Sequence, residues 1–422
     1  MSEPTKTPWW IPPFLGRVPA GVDARSLRIL GAVALALLFE EYDIAMLTSA
    51  LKQIADELQI SEERLGLYLA WIRLGALPAF FVIPFADRIG RRPVFLFSVT
   101  AMSLVTFATA FSPDALTFVL LQALARTFLI TGSAVAIVIV TEEFPADHRG
   151  WGIGMLAALG ATGHGVSALA FSQIERLPYG WRSLYVLGAL PLLLLPLFRA
   201  HVPETTRFKA QHSGLHNFAD ILAPLAAMAR SSPARALGVS AIAFLAAIAT
   251  FPSFQFSGYY TQAALGFSPG AYSAMVILGG AIGIIGNIVA GRWGDAFGRR
   301  RVGSVMLAVF PLASFAFYHG SPVVVVVSWT ALVFTSMGGR VMLRAVATEL
   351  FPTSQRSAAS GLFAILDMIG GATGLFAIYL SGTASVDDIA LVVPLVGLAT
   401  LAAAGVLLSF PETHRRELEE IH

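Results

Sequence analysis

The segment Phe39-Glu40-Glu41-Tyr42-Asp43 places three carboxylates inside a long apolar stretch of the chain. Residues three apart on a helix share a face, so Glu40 and Asp43 point the same way while Glu41 points elsewhere. Burial raises the pKa of a carboxyl group in general, and a nearby arginine lowers it. A carboxyl group under both influences can take up and release a proton, so these residues are candidates for proton binding.

Charged motifs recur along the chain at nearly one spacing. The distances are 208 positions from Asp87 to Asp295, 207 from Pro145 to Pro352 and 208 from Pro203 to Pro411. The repeated segments are 84–92 and 291–300, Glu142 to Pro145 with Arg149 and Glu349 to Pro352 with Arg356, and the Pro-Glu-Thr sequences at 203–205 and 411–413. This pattern indicates a tandem duplication, and internal repeats of this size are typical of transporter folds.

The composition is that of a membrane protein. Of 422 residues, 56% are hydrophobic and 13% charged, and the mean hydropathy is +0.72. A soluble domain has about 25% charged residues. Apolar stretches of about 20 residues, each long enough to cross the hydrocarbon layer, fill most of the chain. The absence of cysteine excludes disulfides, thiolate metal sites and a cysteine nucleophile.

The apolar stretches predict an all-α polytopic membrane protein with twelve transmembrane helices in two six-helix repeats. The helices are expected at 28–51, 65–86, 93–112, 115–141, 151–173, 182–199, 236–257, 270–292, 302–319, 322–347, 357–380 and 388–410. The predicted domains are a tail 1–27, a first bundle 28–199, a linker 200–235, a second bundle 236–410 and a tail 411–422.

The distribution of basic residues predicts the orientation, because Lys and Arg collect in cytoplasmic loops. With the N-terminus inside, the inside segments hold 20 of the 28 Lys and Arg residues, the outside loops 4 and the helices 4. We therefore expect a multi-pass protein of the plasma membrane, the inner membrane of a bacterium. Both termini, the linker and the repeated charged motifs would be cytoplasmic.

No nucleotide-binding or metalloprotease motif such as GxGxxG, a Walker loop or HExxH is present. Nucleotide-driven pumping would need a phosphate-binding loop. We expect transport driven by a solute or ion gradient, with no enzymatic activity, no cofactor and no metal site. A non-transporting sensor is a further alternative, but such proteins usually add a long soluble extension, and both tails here are short.

The motif Asp87-Arg88-Ile89-Gly90-Arg91-Arg92 after the second helix, with a weaker copy after the eighth, resembles the major facilitator superfamily. The Pro-Glu-Thr sequences resemble its sugar-porter and organic-ion branches, and the resemblance covers residues 28–415. It implies a cytoplasmic gate of individually weak ion pairs that form and break together. The implied gate residues are Asp87, Arg88, Arg91, Arg92, Glu142, Arg149, Glu204, Asp295, Arg299, Glu349, Arg356 and Glu412.

The segment around Glu40 is similar to the Asp-Gly-Tyr-Asp motif of aromatic-acid/proton symporters and to the Gly-Tyr-Asp motif of sugar/proton symporters. The resemblance implies that Asp43 carries the proton with Glu40, while Glu41 replaces the glycine of the family. Sugar/proton symporters have an arginine where this chain has Gln122, and Arg126 lies one turn later on the same face. We expect Arg126 to tune proton binding by Asp43; a structural ion pair is the alternative.

The same resemblance implies a set of substrate-binding positions. Sugar porters use neutral amides and an aromatic side chain there, and this chain has His164, Gln255, Arg344 and Asp367. Arg340 lies one turn from Arg344, and Arg73 lies in the middle of the second helix. An arginine fork matches a carboxylate, so these positions predict an anionic or zwitterionic substrate.

The expected function is proton symport of a small organic anion, an aromatic or hydroxy acid, by a monomer in the lipid bilayer that binds no nucleic acid. In the rival interpretation, Arg344 pairs with Asp367 and Arg73 pairs with Glu40 or Glu41, and the protein is a proton-coupled sugar transporter. A proton-driven exporter of drugs or cations, attracted by the three carboxylates near Asp43, is a further alternative.

Overall fold

A computed structural model describes residues 7–15, 17–210, 218–352 and 355–412. Residues 1–6 and 413–422 of the predicted tails and residues 211–217 of the predicted linker lie outside the described residues. The described parts of the chain consist of helices and connecting segments without a β-strand. This architecture confirms the predicted all-α fold class.

The α-helices follow one another along the chain with short connections. They are α1 (Ala24–Ser49), α2 (Leu51–Glu57), α3 (Glu62–Leu74), α4 (Ala79–Val82), α5 (Phe85–Ile89), α6 (Arg91–Thr109), α7 (Ala115–Glu143), α8 (Arg149–Phe171), α9 (Trp181–Gly188), α10 (Leu195–His201), α11 (Thr206–Ala210), α12 (Phe218–Ser231), α13 (Pro233–Gln255), α14 (Ser257–Ala263), α15 (Pro269–Gly283), α16 (Ile285–Phe297), α17 (Arg299–His319), α18 (Pro322–Glu349), α19 (Arg356–Leu380), α20 (Val386–Gly397) and α21 (Ala399–Ser409). Short 3-10 helices span Pro13–Leu15, Ala146–His148, Ile174–Arg176 and Leu190–Leu192.

Eleven helical segments of the described chain are long and apolar enough to cross a membrane. The 26-residue helix α1 differs from those eleven because it carries Glu40, Glu41 and Asp43. With α1 included, the number of long helices equals the twelve predicted from the apolar stretches.

The chain divides into two compact units. The first unit consists of Met1–Leu47 and Gly75–Leu215, and the second consists of Thr48–Leu74 and His216–His422. Helices α2 and α3 therefore group with the second unit, in which α3 packs on α19. The division into bundles 28–199 and 236–410 stays a prediction.

Each unit has its own apolar interior. In the first unit, Leu30 and Val33 of α1 pack with Phe95 of α6 and Ile139 of α7, all fully buried. The segment before α1 joins this core, since the side chain of Ile11 is buried there. In the second unit, α13 packs on α19 and α21, and α17 packs on α18.

The second predicted transmembrane helix is interrupted. Helix α3 ends at Leu74, and the short helices α4 and α5 begin after Pro78 and Pro84. Proline lacks the N–H group that a continuous helix needs, so backbone carbonyl groups before it lose their partners. Thr127 Oγ1 of α7 donates a hydrogen bond to the carbonyl oxygen of Gly75, at 2.6 Å, within the first unit.

Candidate functional site

Glu40 lies in the interior of the first unit, with 2% of its surface exposed. Ser133 Oγ on α7 donates a hydrogen bond to Glu40 Oε2. Gly132 leaves room for the other carboxyl oxygen, because a Cβ atom at this position would clash with Glu40 Oε1. Oε1 meets no hydrogen-bond donor among the described residues. Among the described residues, the buried carboxyl group of Glu40 thus has one hydrogen-bond donor, the hydroxyl group of Ser133.

Asp43 is fully buried on the same helix and has different neighbours. Thr106 Oγ1 of α6 donates a hydrogen bond to Asp43 Oδ1 at 3.1 Å. Arg126 of α7 lies close enough to interact electrostatically with the Asp43 carboxylate. The structure therefore brings Arg126 and Asp43 together, while Glu40 is held separately by Ser133.

Glu41 faces α8, where it meets His164. The distance from His164 Nδ1 to Glu41 Oε2 is 3.4 Å, and the two side chains are 48% and 37% exposed. Of the three carboxylates on α1, Glu41 is therefore the accessible one.

Asp367 of α19 is the centre of a charge cluster in the second unit. Its Oδ2 lies 3.4 Å from Arg73 Nη2 of α3, and its Oδ1 lies 3.4 Å from Arg340 Nη2 of α18. Arg344, one turn from Arg340, is exposed and interacts electrostatically with both Arg340 and Asp367. The three guanidinium groups and one carboxylate are called the arginine cluster below.

Phe251 of α13 holds Arg73 in this cluster. The guanidinium carbon of Arg73 lies 3.1 Å from the centroid of the Phe251 ring, and that of Arg340 lies 5.5 Å from it. A cation over an aromatic face is attracted by the quadrupole of the ring. Gly371, one turn from Asp367, leaves the space that Arg73 occupies, because a Cβ atom there would clash with Arg73 Nε.

A small cavity borders the arginine cluster. Arg340 and Asp367 form its charged wall. The remaining lining includes hydroxyl groups and aromatic rings, among them Thr250, Thr335, Ser336, Phe310 and Phe363. The cavity therefore offers cationic, hydroxyl and aromatic surface within one unit.

The first repeated motif forms a charge cluster in the first unit. Arg91 Nη2 lies 2.9 Å from Asp87 Oδ1 and 3.0 Å from Glu142 Oε1. Glu204 Oε1 accepts hydrogen bonds from the backbone N–H groups of Arg91, at 2.9 Å, and Arg92. These N–H groups belong to the first turn of α6, so the glutamate of the Pro-Glu-Thr sequence caps that helix.

The second repeated motif has the same arrangement in the second unit. Arg299 forms ion pairs with Asp295 and Glu349. Glu412 Oε1 accepts hydrogen bonds from the backbone N–H groups of Arg299, at 3.0 Å, and Arg300. Glu412 thereby caps α17 as Glu204 caps α6, and the sequence repeat is also a repeat of contacts.

The side chains of the other predicted site residues make different contacts. Arg92 Nη2 donates to the carbonyl oxygen of Arg199, and Arg88 lies over the ring of Phe85. Arg356 Nε donates to the carbonyl oxygen of Phe351. Arg149 enters no ion pair among the described residues. Gln255, at the end of α13, is not among the residues that line the cavity.

The contributing residues that were not predicted from the sequence include Ser133, Thr106, Phe251 and Gly371. Ser133 and Thr106 are hydroxyl residues inside apolar helices, which is a signal that sequence reasoning can use. Phe251 and Gly371 carry no such signal, because the chain has 30 phenylalanines and 38 glycines and spacing singles out neither residue.

Long apolar helices with charged side chains buried inside them are the arrangement of a membrane transporter. The chain belongs to the Major Facilitator Superfamily, whose family model matches residues 33–286 and 239–421. This membership confirms the resemblance seen in the repeated motifs. The protein is an integral membrane transporter of a small-molecule substrate, and it is not an enzyme.

Similar proteins include transporters of aromatic acids. The gentisate transporter of Corynebacterium glutamicum is 23% identical over 94% of this chain and 92% of its own. The gallate transporter of Pseudomonas putida is 29% identical over 43% of this chain and 41% of its own. Among solved structures, the xylose transporter XylE from E. coli in an inward open conformation superposes with a TM-score of 0.74. It is 19% identical over 94% of this chain and 99% of its own, a similarity of fold.

Proposed function

We propose that this transporter carries a small organic anion, an aromatic or hydroxy carboxylate, in symport with protons across the bacterial inner membrane. The observation that carries the proposal is the arginine cluster. The carboxylate of Asp367 is surrounded by Arg73, Arg340 and Arg344 beside a cavity, so the cluster presents more than one guanidinium group to a ligand. A guanidinium group inside a membrane protein is costly to bury, and an anionic ligand that pairs with it lowers that cost.

The rest of the cavity suits a ring with polar substituents. Guanidinium groups match a carboxylate with two parallel hydrogen bonds. Aromatic side chains such as Phe310 pack against a planar ring, and hydroxyl groups such as that of Thr335 pair with its substituents. Gentisate and gallate, which the named relatives transport, are hydroxylated aromatic carboxylates. The roles of His164 and Gln255 in substrate binding stay predictions.

The acids of α1 supply the proton coupling in this proposal. An ionised carboxylate enclosed in an apolar interior is unfavourable, and uptake of a proton removes the charge. Asp43 carries the coupled proton together with Glu40, Arg126 modulates Asp43, and Glu41 with His164 gives the proton an accessible first acceptor. The repeated ion pairs form a cytoplasmic gate, both termini are cytoplasmic and the protein acts as a monomer.

A thermal-unfolding screen of the purified protein in detergent tests the substrate class. Ligands would be gentisate, benzoate, xylose and a cationic drug, because a ligand that binds the folded state stabilises it by mass action. We expect stabilisation by the carboxylates, weakened about tenfold to a hundredfold in apparent affinity by Arg344→Gln, since a hydrogen bond to a charged group contributes about 1.5–3 kcal/mol. Arg64→Gln, an exposed arginine outside the cluster, is the control.

The alternatives give different results in the same screen. Stabilisation by xylose that Arg344→Gln leaves unchanged would identify a sugar transporter and contradict the anion proposal. Stabilisation by the cationic drug alone would identify an exporter of cations.

A further inference from the structure

Asp367 occupies the position that an anionic substrate would need. Both of its ion-pair distances are 3.4 Å, whereas a strong charge-assisted hydrogen bond measures about 2.7–2.9 Å. The carboxylate is therefore shared loosely between Arg73 and Arg340. We infer that Asp367 is an internal counter-ion that competes with the substrate carboxylate for the arginines, so that substrate binding exchanges one carboxylate for another. This inference rests on the proposed function.

The two arginines that hold Asp367 differ in their freedom. Arg73 lies over the ring of Phe251 against the backbone at Gly371, and its side chain is 22% exposed. Arg340 is 37% exposed and lines the cavity. Arg73 is therefore the arginine that keeps Asp367, and Arg340 is the one that turns to a ligand.

Arg344 completes the position for the incoming carboxylate. Residues four apart on a helix lie on the same face, so Arg340 and Arg344 present their guanidinium groups side by side on α18. Arg344 is exposed, and it interacts electrostatically with Arg340 and Asp367. In the loaded state, Arg340 and Arg344 bind the substrate carboxylate while Asp367 remains paired with Arg73.

An internal competitor lowers the apparent affinity for the ligand. When only a fraction of the protein has Arg340 released from Asp367, the apparent dissociation constant rises in inverse proportion to that fraction. Removal of the charge of Asp367 should therefore tighten carboxylate binding. If Asp367 instead accepted hydrogen bonds from the hydroxyl groups of the substrate, the same change would weaken binding.

The test is the dissociation constant of gentisate, measured by isothermal titration with the purified full-length protein in detergent. The variants are Asp367→Asn, which removes the charge, and Asp367→Glu, which keeps it. We expect Asp367→Asn to lower the dissociation constant about threefold to tenfold and Asp367→Glu to remain within about twofold of wild type. Xylose serves as the neutral control ligand.

A second variant covers the case in which Asp367→Asn does not fold because the arginine cluster has lost its carboxylate. The double variant Arg73→Gln/Asp367→Asn has the same net charge as wild type and keeps Arg340 and Arg344. It should also bind gentisate more tightly than wild type, and further substitution of Arg344→Gln should cancel the gain.

The outcomes separate the two proposals. Suppose that wild type binds gentisate, and that Asp367→Asn and the double variant bind it equally tightly or more weakly. This result would overturn the counter-ion inference and leave the proposed function intact. Binding of gentisate by the variants and not by wild type would support the inference, because the Asp367 carboxylate would then exclude the ligand from the wild-type arginines. If none of these proteins bound gentisate or benzoate, the result would contradict the proposed function and this inference with it.

Discussion

Glu40 depends on the hydroxyl group of Ser133, its one hydrogen-bond donor among the described residues. A buried carboxylate that loses such a partner costs about 1–3 kcal/mol. At the scale of single residues, therefore, the contact of Glu40 with α7 rests on a hydroxyl group that is not itself titratable. The neighbouring Gly132 has to remain without a side chain for this contact to form.

Ser133→Ala should destabilise the folded protein by about 1–3 kcal/mol, measured by unfolding in detergent. Glu40→Gln in the Ser133→Ala background should recover part of this loss, and a double-mutant cycle gives the coupling energy. Thr141→Ala is a matched control, because Thr141 Oγ1 bonds only to the carbonyl oxygen of Ile137 within α7. Equal effects of Ser133→Ala and Thr141→Ala would contradict a specific role for the Glu40 contact.

The sequence identified the charged members of the site more readily than their pairing. Asp367, Arg340 and Arg73 stand out because they are charges inside apolar helices. That Asp367 pairs with Arg73, 294 residues away, follows from the packing of α3 on α19, which hydropathy does not contain. The rival expectation paired Asp367 with Arg344; in the structure its ion pairs are to Arg73 and Arg340.

At the scale of helices, the repeated motif has a backbone function. Gly90 and Gly298 precede α6 and α17 with φ, ψ of 107°, 153° and 101°, 137°. This conformation is almost restricted to glycine. It turns the first N–H groups of each helix toward the carboxylate of Glu204 or Glu412, and negative charge at a helix N-terminus is favourable. The spacing from Gly90 to Glu204 equals that from Gly298 to Glu412, and it serves helix capping as well as ion pairing.

Gly90→Ala and Gly298→Ala should each destabilise the protein by about 1–3 kcal/mol, the cost of forcing an alanine into this backbone conformation. A Cβ atom would in addition clash with Glu204 or Glu412. Gly150→Ala is the control, since a Cβ atom there has nothing within 4 Å. Unfolding midpoints in detergent measure the effect. Midpoints equal to that of Gly150→Ala would refute the capping account.

Helix positions followed from hydropathy to within a few residues, as the match of 115–141 to α7 shows. The break between α3 and α4 was not anticipated, because the segment 65–86 is apolar apart from Arg73. Pro78 and Pro84 were the available signal, but transmembrane helices tolerate proline when neighbouring side chains satisfy the freed carbonyl groups. Here the hydroxyl of Thr127 contributes such a contact.

At the scale of the whole molecule, the chain is two copies of one design with different interiors. The charge clusters and helix caps repeat, whereas the carboxylates of α1 belong to the first unit and the arginine cluster belongs to the second. The charge clusters and helix caps are thus alike in the two units, whereas the buried charges differ. This difference is expected if the first unit binds the proton and the second unit binds the anion.

The orientation is directly testable because the natural chain contains no cysteine. Ser61 and Ala146 are exposed small residues in connections predicted to lie outside and inside. We expect a membrane-impermeant maleimide to label Ser61→Cys in intact cells and to label Ala146→Cys only after the membrane is permeabilised. The reverse pattern would contradict cytoplasmic placement of the repeated motifs.

Uptake of radiolabelled gentisate into proteoliposomes, with and without an inward proton gradient, tests the central claim most directly. The wild-type protein should accumulate gentisate when the gradient is imposed. Asp43→Asn should still exchange internal for external gentisate but should not accumulate it, because the coupled proton has lost its carrier. Accumulation by Asp43→Asn equal to wild type, or wild-type uptake indifferent to the proton gradient, would contradict proton-coupled anion symport.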